Sequence, residues 1–116
     1  MSNVNALRIA VEPLRVVAFG AINGNYTEVG TPVDNAIRLI SFSNNTDEDV
    51  FFSYNGIDDH IFVAANGFAV RDYGSNKSDP TGRAELPKHT QIWVVAVAGF
   101  PSLGSVYVEC TYVSTN

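Results

Sequence analysis

The sequence predicts an all-β domain, a single antiparallel β-sandwich or jelly roll of about six to eight strands. Three observations predict it. β-Branched residues dominate, with 15 Val, 7 Ile and 7 Thr against 5 Leu and one Gln. Such side chains are stiff at χ1 and suit a pleated surface, whereas long unbranched helix formers are scarce. Eleven Asn, nine Gly and five Pro spread turn chemistry along the whole chain. Turn signals separate short apolar runs at intervals of about 8–12 residues, with no helical periodicity. All 116 residues read as one domain, long enough for an ordinary core.

Residues 6–11 and 14–22 read as strands split by Glu12 and Pro13. Proline cannot donate a ladder hydrogen bond, so the break belongs at a strand start or an edge. Residues 23–35 carry Gly24, Gly30 and Pro32 among Asn and Asp, and read as a long loop. The first 35 residues are less regular than the rest and predict an N-terminal arm or an extra pair of strands. Residues 36–43 form a strand closed by the polar turn Asn44, Asn45, Thr46, Asp47. Residues 49–54 follow, ended by Asn55 and Gly56, which tolerate the positive φ of tight turns. Short strands at 61–63 and 68–73 flank Asn66 and Gly67, and 74–82 is a polar loop. Strands at 90–98 and 104–113 close the domain.

The last strand alternates cleanly, with Val106, Val108, Cys110 and Tyr112 on its inner face. The strand before it is apolar on both faces: Ile92, Val94 and Ala96 on one, Trp93, Val95 and Val97 on the other. Phe51 likewise points away from Val50 and Phe52. A small two-layer β-domain has one inner face per sheet, so these side chains need a second cover. The 23–35 loop or another subunit would supply it. Phe51, Trp93, Val95, Phe100 and Tyr107 are therefore the candidate interface residues. Tyr107 shares the face of Trp93 if their two strands pair.

Charge and composition exclude several chemistries. Twelve acidic residues against seven basic ones give −5, which repels nucleic-acid phosphate and anionic membrane surfaces. No apolar run approaches the roughly 20 residues of a membrane helix, and no export signal is read at the N-terminus. A single cysteine forbids an internal disulfide, and Cys110 on an inner face is an inert thiol. Asp58, Asp59 and His60 are the one cluster of metal-ligand types, but adjacent strand residues point to opposite faces. Asn45, Asp47 and Asp49 imitate the start of a calcium loop without its glycine or closing glutamate. Gly20 to Asn25 lacks the Gly-Lys-Ser/Thr of a phosphate cradle, and neither His60 nor His89 lies near a nucleophile turn. The expectation is a non-enzymatic protein with no cofactor and no metal.

From Ile40 onward the chain resembles small β-rich structural proteins of tailed-bacteriophage virions. The resemblance rests on Ser43, Asn44, Asn45, Thr46 and Asp47, then Asp49, Val50, Phe52 and Ser53. It continues with Asn55, Gly56, Asp58, Asp59 and His60, with Asp72, Asn76 and Lys77, and with Leu86, Pro87, Lys88, Thr90, Gln91 and Ile92. It ends on Pro101 and the run Gly104, Ser105, Val106, Tyr107, Val108. The resemblance implies a virion component at the neck, tail or capsid surface, assembled in the host bacterial cytoplasm. Its implied partners are copies of itself, as a homo-oligomer or ring, and neighbouring virion proteins. It implies no catalytic residues and does not cover residues 1–35. A different reading is a carbohydrate-binding β-sandwich, with Tyr54-Asn55 and Asp72-Tyr73 placing aromatic rings beside polar groups for sugar stacking.

Overall fold

The structure, a computed structural model, describes residues 8–73 and 85–114. The predicted 74–82 loop, Asn76 and Lys77 lie outside the described residues. Nine strands follow in order: β1 (Arg8–Val11), β2 (Arg15–Ala18), β3 (Thr27–Glu28), β4 (Leu39–Asn44), β5 (Val50–Ser53), β6 (Ile61–Val63), β7 (Phe68–Asp72), β8 (Trp93–Ala96) and β9 (Ser105–Ser114). A 3-10 turn at Phe19–Ala21 follows β2.

The strands form two antiparallel sheets. Sheet A runs β1-β9-β4-β7, with β2 also on β9, and sheet B runs β3-β8-β5-β6. The first strands thus pair with the last, β3 with β8, β4 with β7, and β5 with β6. A long hairpin rolled into two layers produces these pairings, which is a jelly roll. The strand total exceeds the predicted one for a local reason. β1 and β2 occupy successive stretches of one edge of β9, Thr111–Ser114 and Ser105–Val108, and Glu12 and Pro13 break what is otherwise one strand. The predicted N-terminal irregularity is therefore an edge strand of sheet A, and the 23–35 loop contains the two-residue edge strand β3 of sheet B.

The core lies between the sheets. Ile40, Phe42, Val106, Val108 and Cys110 from sheet A meet Val50, Phe52, Ile61, Val63 and Val94 from sheet B. The rings of Phe42 and Phe52 pack 4.7 Å apart at a 41° tilt. Val29, Val33 and Ile37 are also fully buried, and their N–H groups donate to Ile92, Thr90 and Leu86. They close the side of the sandwich beyond β3.

Asn44 is the buried polar hub of this fold. Its Nδ2 donates to the carbonyls of Glu48, Val63 and Ala64 at 2.8–3.3 Å, while its Oδ1 accepts from the backbone and hydroxyl of Thr46. One side chain thereby ties the β4–β5 turn to the end of β6.

Candidate interaction surface

The alternation of β8 and β5 sends Trp93, Val95 and Phe51 to the outer face of sheet B, as the sequence predicts. Across strands, Phe51 opposes Val95 and Phe62, and Trp93 opposes Ser53 and Glu28. Phe51 meets Phe62 edge-on, with centroids 5.7 Å apart. The cover over this face is partly internal. The turn after β5 folds back so that Gly56 lies on the indole of Trp93, leaving that ring half-buried. Tyr26, one residue before β3, hydrogen-bonds Asp59 of the same turn. Val95 is only 8% exposed.

The turn holds its shape through its own polar groups. Ser53 Oγ accepts from the N–H groups of Asn55 and Gly56, and Asn55 Oδ1 accepts from those of Ile57 and Asp58. Asn55 Nδ2 donates to Asp58, and His60 Nδ1 accepts from Tyr54 N–H. Asp58, Asp59 and His60 are thus three separate turn partners. In the other acidic run, Asp49 caps Ala65 N–H, while Asp47 accepts from the backbone and hydroxyl of Ser102. These bonds from Ser102 lower the Asp47 pKa. Among the described residues, no group of three or more His, Cys, Asp or Glu is placed to hold a metal.

Tyr107 and Trp93 do not share a face. Their strands lie in different sheets, so Tyr107 projects from the outer face of sheet A, opposite Ser43 and Val16. Phe100, in the loop between β8 and β9, is 65% exposed. The predicted set therefore divides among two outer faces and a loop.

The outer face of sheet A carries the larger apolar exposure. Alternation places Ile9 and Val11 of β1 and Val16 of β2 at one edge of it and Phe68 and Val70 of β7 at the other, while the middle strands bear Ser41, Ser43, Glu109 and Thr111 beside the half-buried Tyr107. Ile9, Val11 and Phe68 are 72%, 62% and 75% exposed. The two edges, rather than the middle of the face, offer the exposed apolar clusters that mark interaction sites. Sequence periodicity assigned Phe68 and Val70 to a strand. Which face met water depended on knowing that β7 pairs with β4.

Beneath the β1–β2 break lies a buried ion pair. Arg15 donates to Glu12 Oε1 at 2.9 Å and to the Thr31 carbonyl at 3.0 Å. Glu12 Oε2 accepts from Asp34 N–H, Asn35 N–H and Asn35 Nδ2 at 2.8–3.0 Å. Burial raises the Glu12 pKa, but the bonds from Asn35, Arg15 and Asp34 outweigh it, so the carboxyl titrates below its ordinary 4.5. All these partners are internal, which makes the pair a clasp rather than a catalytic centre.

A small cleft of about 230 Å³ opens at one side of the sandwich, lined by Tyr54, Tyr73, Glu85 and Leu86. The two tyrosine hydroxyls bond each other at 2.8 Å, and Tyr54 stacks on His60 at 5.5 Å. Burial and the bond to Tyr73 raise the Tyr54 pKa far above the usual phenol range. Cys110, buried under sheet A, has its thiol pushed up to about 11 by burial, which disfavours the nucleophilic thiolate.

No protein-family model matches the chain, and no curated protein matches it.

Proposed function

We propose that this protein is a non-enzymatic structural component of a bacteriophage virion, assembling with copies of itself and neighbouring virion proteins at the neck, tail or capsid surface. The observation that carries the reading is the outer face of sheet A, whose two edges expose apolar side chains, Ile9, Val11 and Val16 on one and Phe68 and Val70 on the other. The jelly roll supports it, since capsid domains use this architecture, although lectin domains do too. The resemblance of the segment from Ile40 onward to tailed-phage structural proteins points the same way.

The edges of sheet A suit repeated association. β1 and β7 lie at its two ends and run antiparallel to each other. Copies placed side by side in one orientation therefore bring β7 of one antiparallel to β1 of the next. Glu12 N–H bonds Cys110, so alternation turns the backbone groups of Ile9 and Val11 to the free edge. Asn44 N–H bonds Gly67 and Tyr73 N–H bonds Arg38, which turns those of Phe68 and Val70 outward on β7. In one such register Ile9 opposes Val70 and Val11 opposes Phe68, all on one face. The guanidinium of Arg71 covers the Val70 carbonyl at 3.2 Å and yields to an arriving strand. Head-to-tail contact of this kind makes a ring where the rotation between copies closes and an open filament where it does not.

Light scattering across a concentration series, with immunolabelling of intact particles, tests the proposal. A monomer at all concentrations, absent from particles, overturns it. A second reading, carbohydrate binding, is favoured by the Tyr54–Tyr73 cleft; saturable binding on a glycan array that is lost in Tyr73→Ala supports that reading instead.

A further inference from the structure

We propose that Asn23 is a site of spontaneous deamidation in the folded protein, left reactive by a fold that shields the other two Asn-Gly pairs. The chain holds three such pairs, at Asn23, Asn55 and Asn66. Asn followed by Gly is the most labile setting for an amide, because no side chain blocks attack by the next backbone nitrogen. Sequence alone does not rank the three.

The structure ranks them by what holds the attacking nitrogen and the amide. At Asn55, Gly56 N–H is tied to Ser53 Oγ at 2.9 Å. The carboxamide is fixed at both ends, Oδ1 by Ile57 and Asp58 N–H and Nδ2 by Asp58. At Asn66, Gly67 N–H donates to the Ala64 carbonyl at 2.8 Å. At Asn23 the attacking nitrogen is left unheld. Exposed Gly24 has no acceptor for its N–H among the described residues. The Asn23 Oδ1 accepts Asn25 N–H at 2.8 Å, as Asn55 Oδ1 accepts Ile57 N–H, but among the described residues nothing holds Asn23 Nδ2, the leaving group.

The reaction needs only hydroxide and water. Hydroxide removes the Gly24 amide proton, and the nitrogen attacks Asn23 Cγ. The N–Cγ bond forms, the Cγ–Nδ2 bond breaks, and Nδ2 takes a proton from water and leaves as ammonia. Water then opens the cyclic imide at either carbonyl, leaving aspartate or isoaspartate. The site is not structurally silent. Asn23 C=O accepts Ala96 N–H at 2.9 Å, so the extra backbone methylene of isoaspartate falls where the chain supports the end of β8.

The test is to age the folded protein in mildly alkaline buffer and follow each Asn-Gly peptide by mass spectrometry. The Asn23 peptide is expected to convert several times faster than those of Asn55 and Asn66, and the three rates to converge in denaturant. Gly24→Ala is the matching variant. A Cβ there meets only Phe100 Cε1, at 3.9 Å, so the fold accommodates it while the added methyl group obstructs ring closure. Conversion at residue 23 is expected to fall several-fold in that variant. Amide exchange at Ala96 should also quicken in the aged wild type and not in the variant. Asn55 or Asn66 keeping pace in the folded protein, or Gly24→Ala deamidating at the wild-type rate, overturns the proposal.

Discussion

Gly56 lies against the indole of Trp93, so close that a Cβ on it would stand 2.9 Å from Cε2 and 3.0 Å from Cδ2. Its φ of +72° is also a conformation that favours glycine. Two independent demands thus fall on one residue, a left-handed turn and a flat approach to a ring. Gly56→Ala is expected to cost about 2 kcal/mol or more, combining backbone strain with displacement of the indole. Denaturant unfolding of the variant measures it; an unchanged midpoint refutes the packing.

Asn44→Ala tests the polar hub. The substitution leaves the carbonyls of Glu48, Val63 and Ala64 and the Thr46 backbone without this partner at the buried end of β6. Unpaired buried groups cost roughly 1–3 kcal/mol each, softened where water enters. The expected loss is about 3 kcal/mol, read from the same unfolding experiment.

Acid should loosen the β1–β2 joint through Glu12. Its pKa in the folded protein lies below the ordinary 4.5, so the folded state favours the carboxylate. Stability from this group is present above about pH 4.5 and is lost as pH falls through the lower folded value. Glu12→Gln should flatten that part of the stability profile. Glu12→Ala should cost about 3 kcal/mol near neutral pH, because Arg15 stays buried without its carboxylate. Unfolding midpoints measured between neutral and strongly acidic buffer give both results.

The surface variants separate assembly from folding. Val16→Lys and Val70→Lys place charge on the outer face of sheet A, where both side chains are exposed. Their folding stability should stay within about 0.5 kcal/mol of wild type while self-association weakens. Trp93→Ala should lower stability by about 2 kcal/mol, since the ring lies half-buried under its own chain's turn. Light scattering and unfolding on the same samples distinguish the two behaviours.

The fold was legible where local chemistry and tertiary pairing agree. Alternation in β9 put Val106, Val108 and Cys110 inward, and Pro13 marked an edge, as observed. The cover over Trp93 was not legible, because it depends on the turn at Gly56 folding back across β8, a long-range event with no periodic trace. Tyr107 was linked to Trp93 only through a possible pairing of their strands, whereas β9 pairs with β1, β2 and β4. Asn44 read as an ordinary turn residue, since a buried amide and an exposed one look alike in sequence. The apolar outer face of sheet A emerged only once the register joined Phe68 and Val70 to β4 and Val16 to β9.

The pairing of β1 and β2 with β9 also sets a timetable for synthesis. β9 is the central partner of sheet A, flanked by β1 and β2 on one edge and β4 on the other. A nascent chain that has released everything up to β8 therefore still lacks the strand that joins the two ends of that sheet. Cooperative closure waits for β9 to leave the ribosome. Until then Ile40 and Phe42 on β4 and Val17 on β2 have no β9 side chains beside them. Folding dominated by such distant pairings is expected to take milliseconds to seconds, and in that interval the unfinished sheet is exposed to mispairing with neighbouring chains.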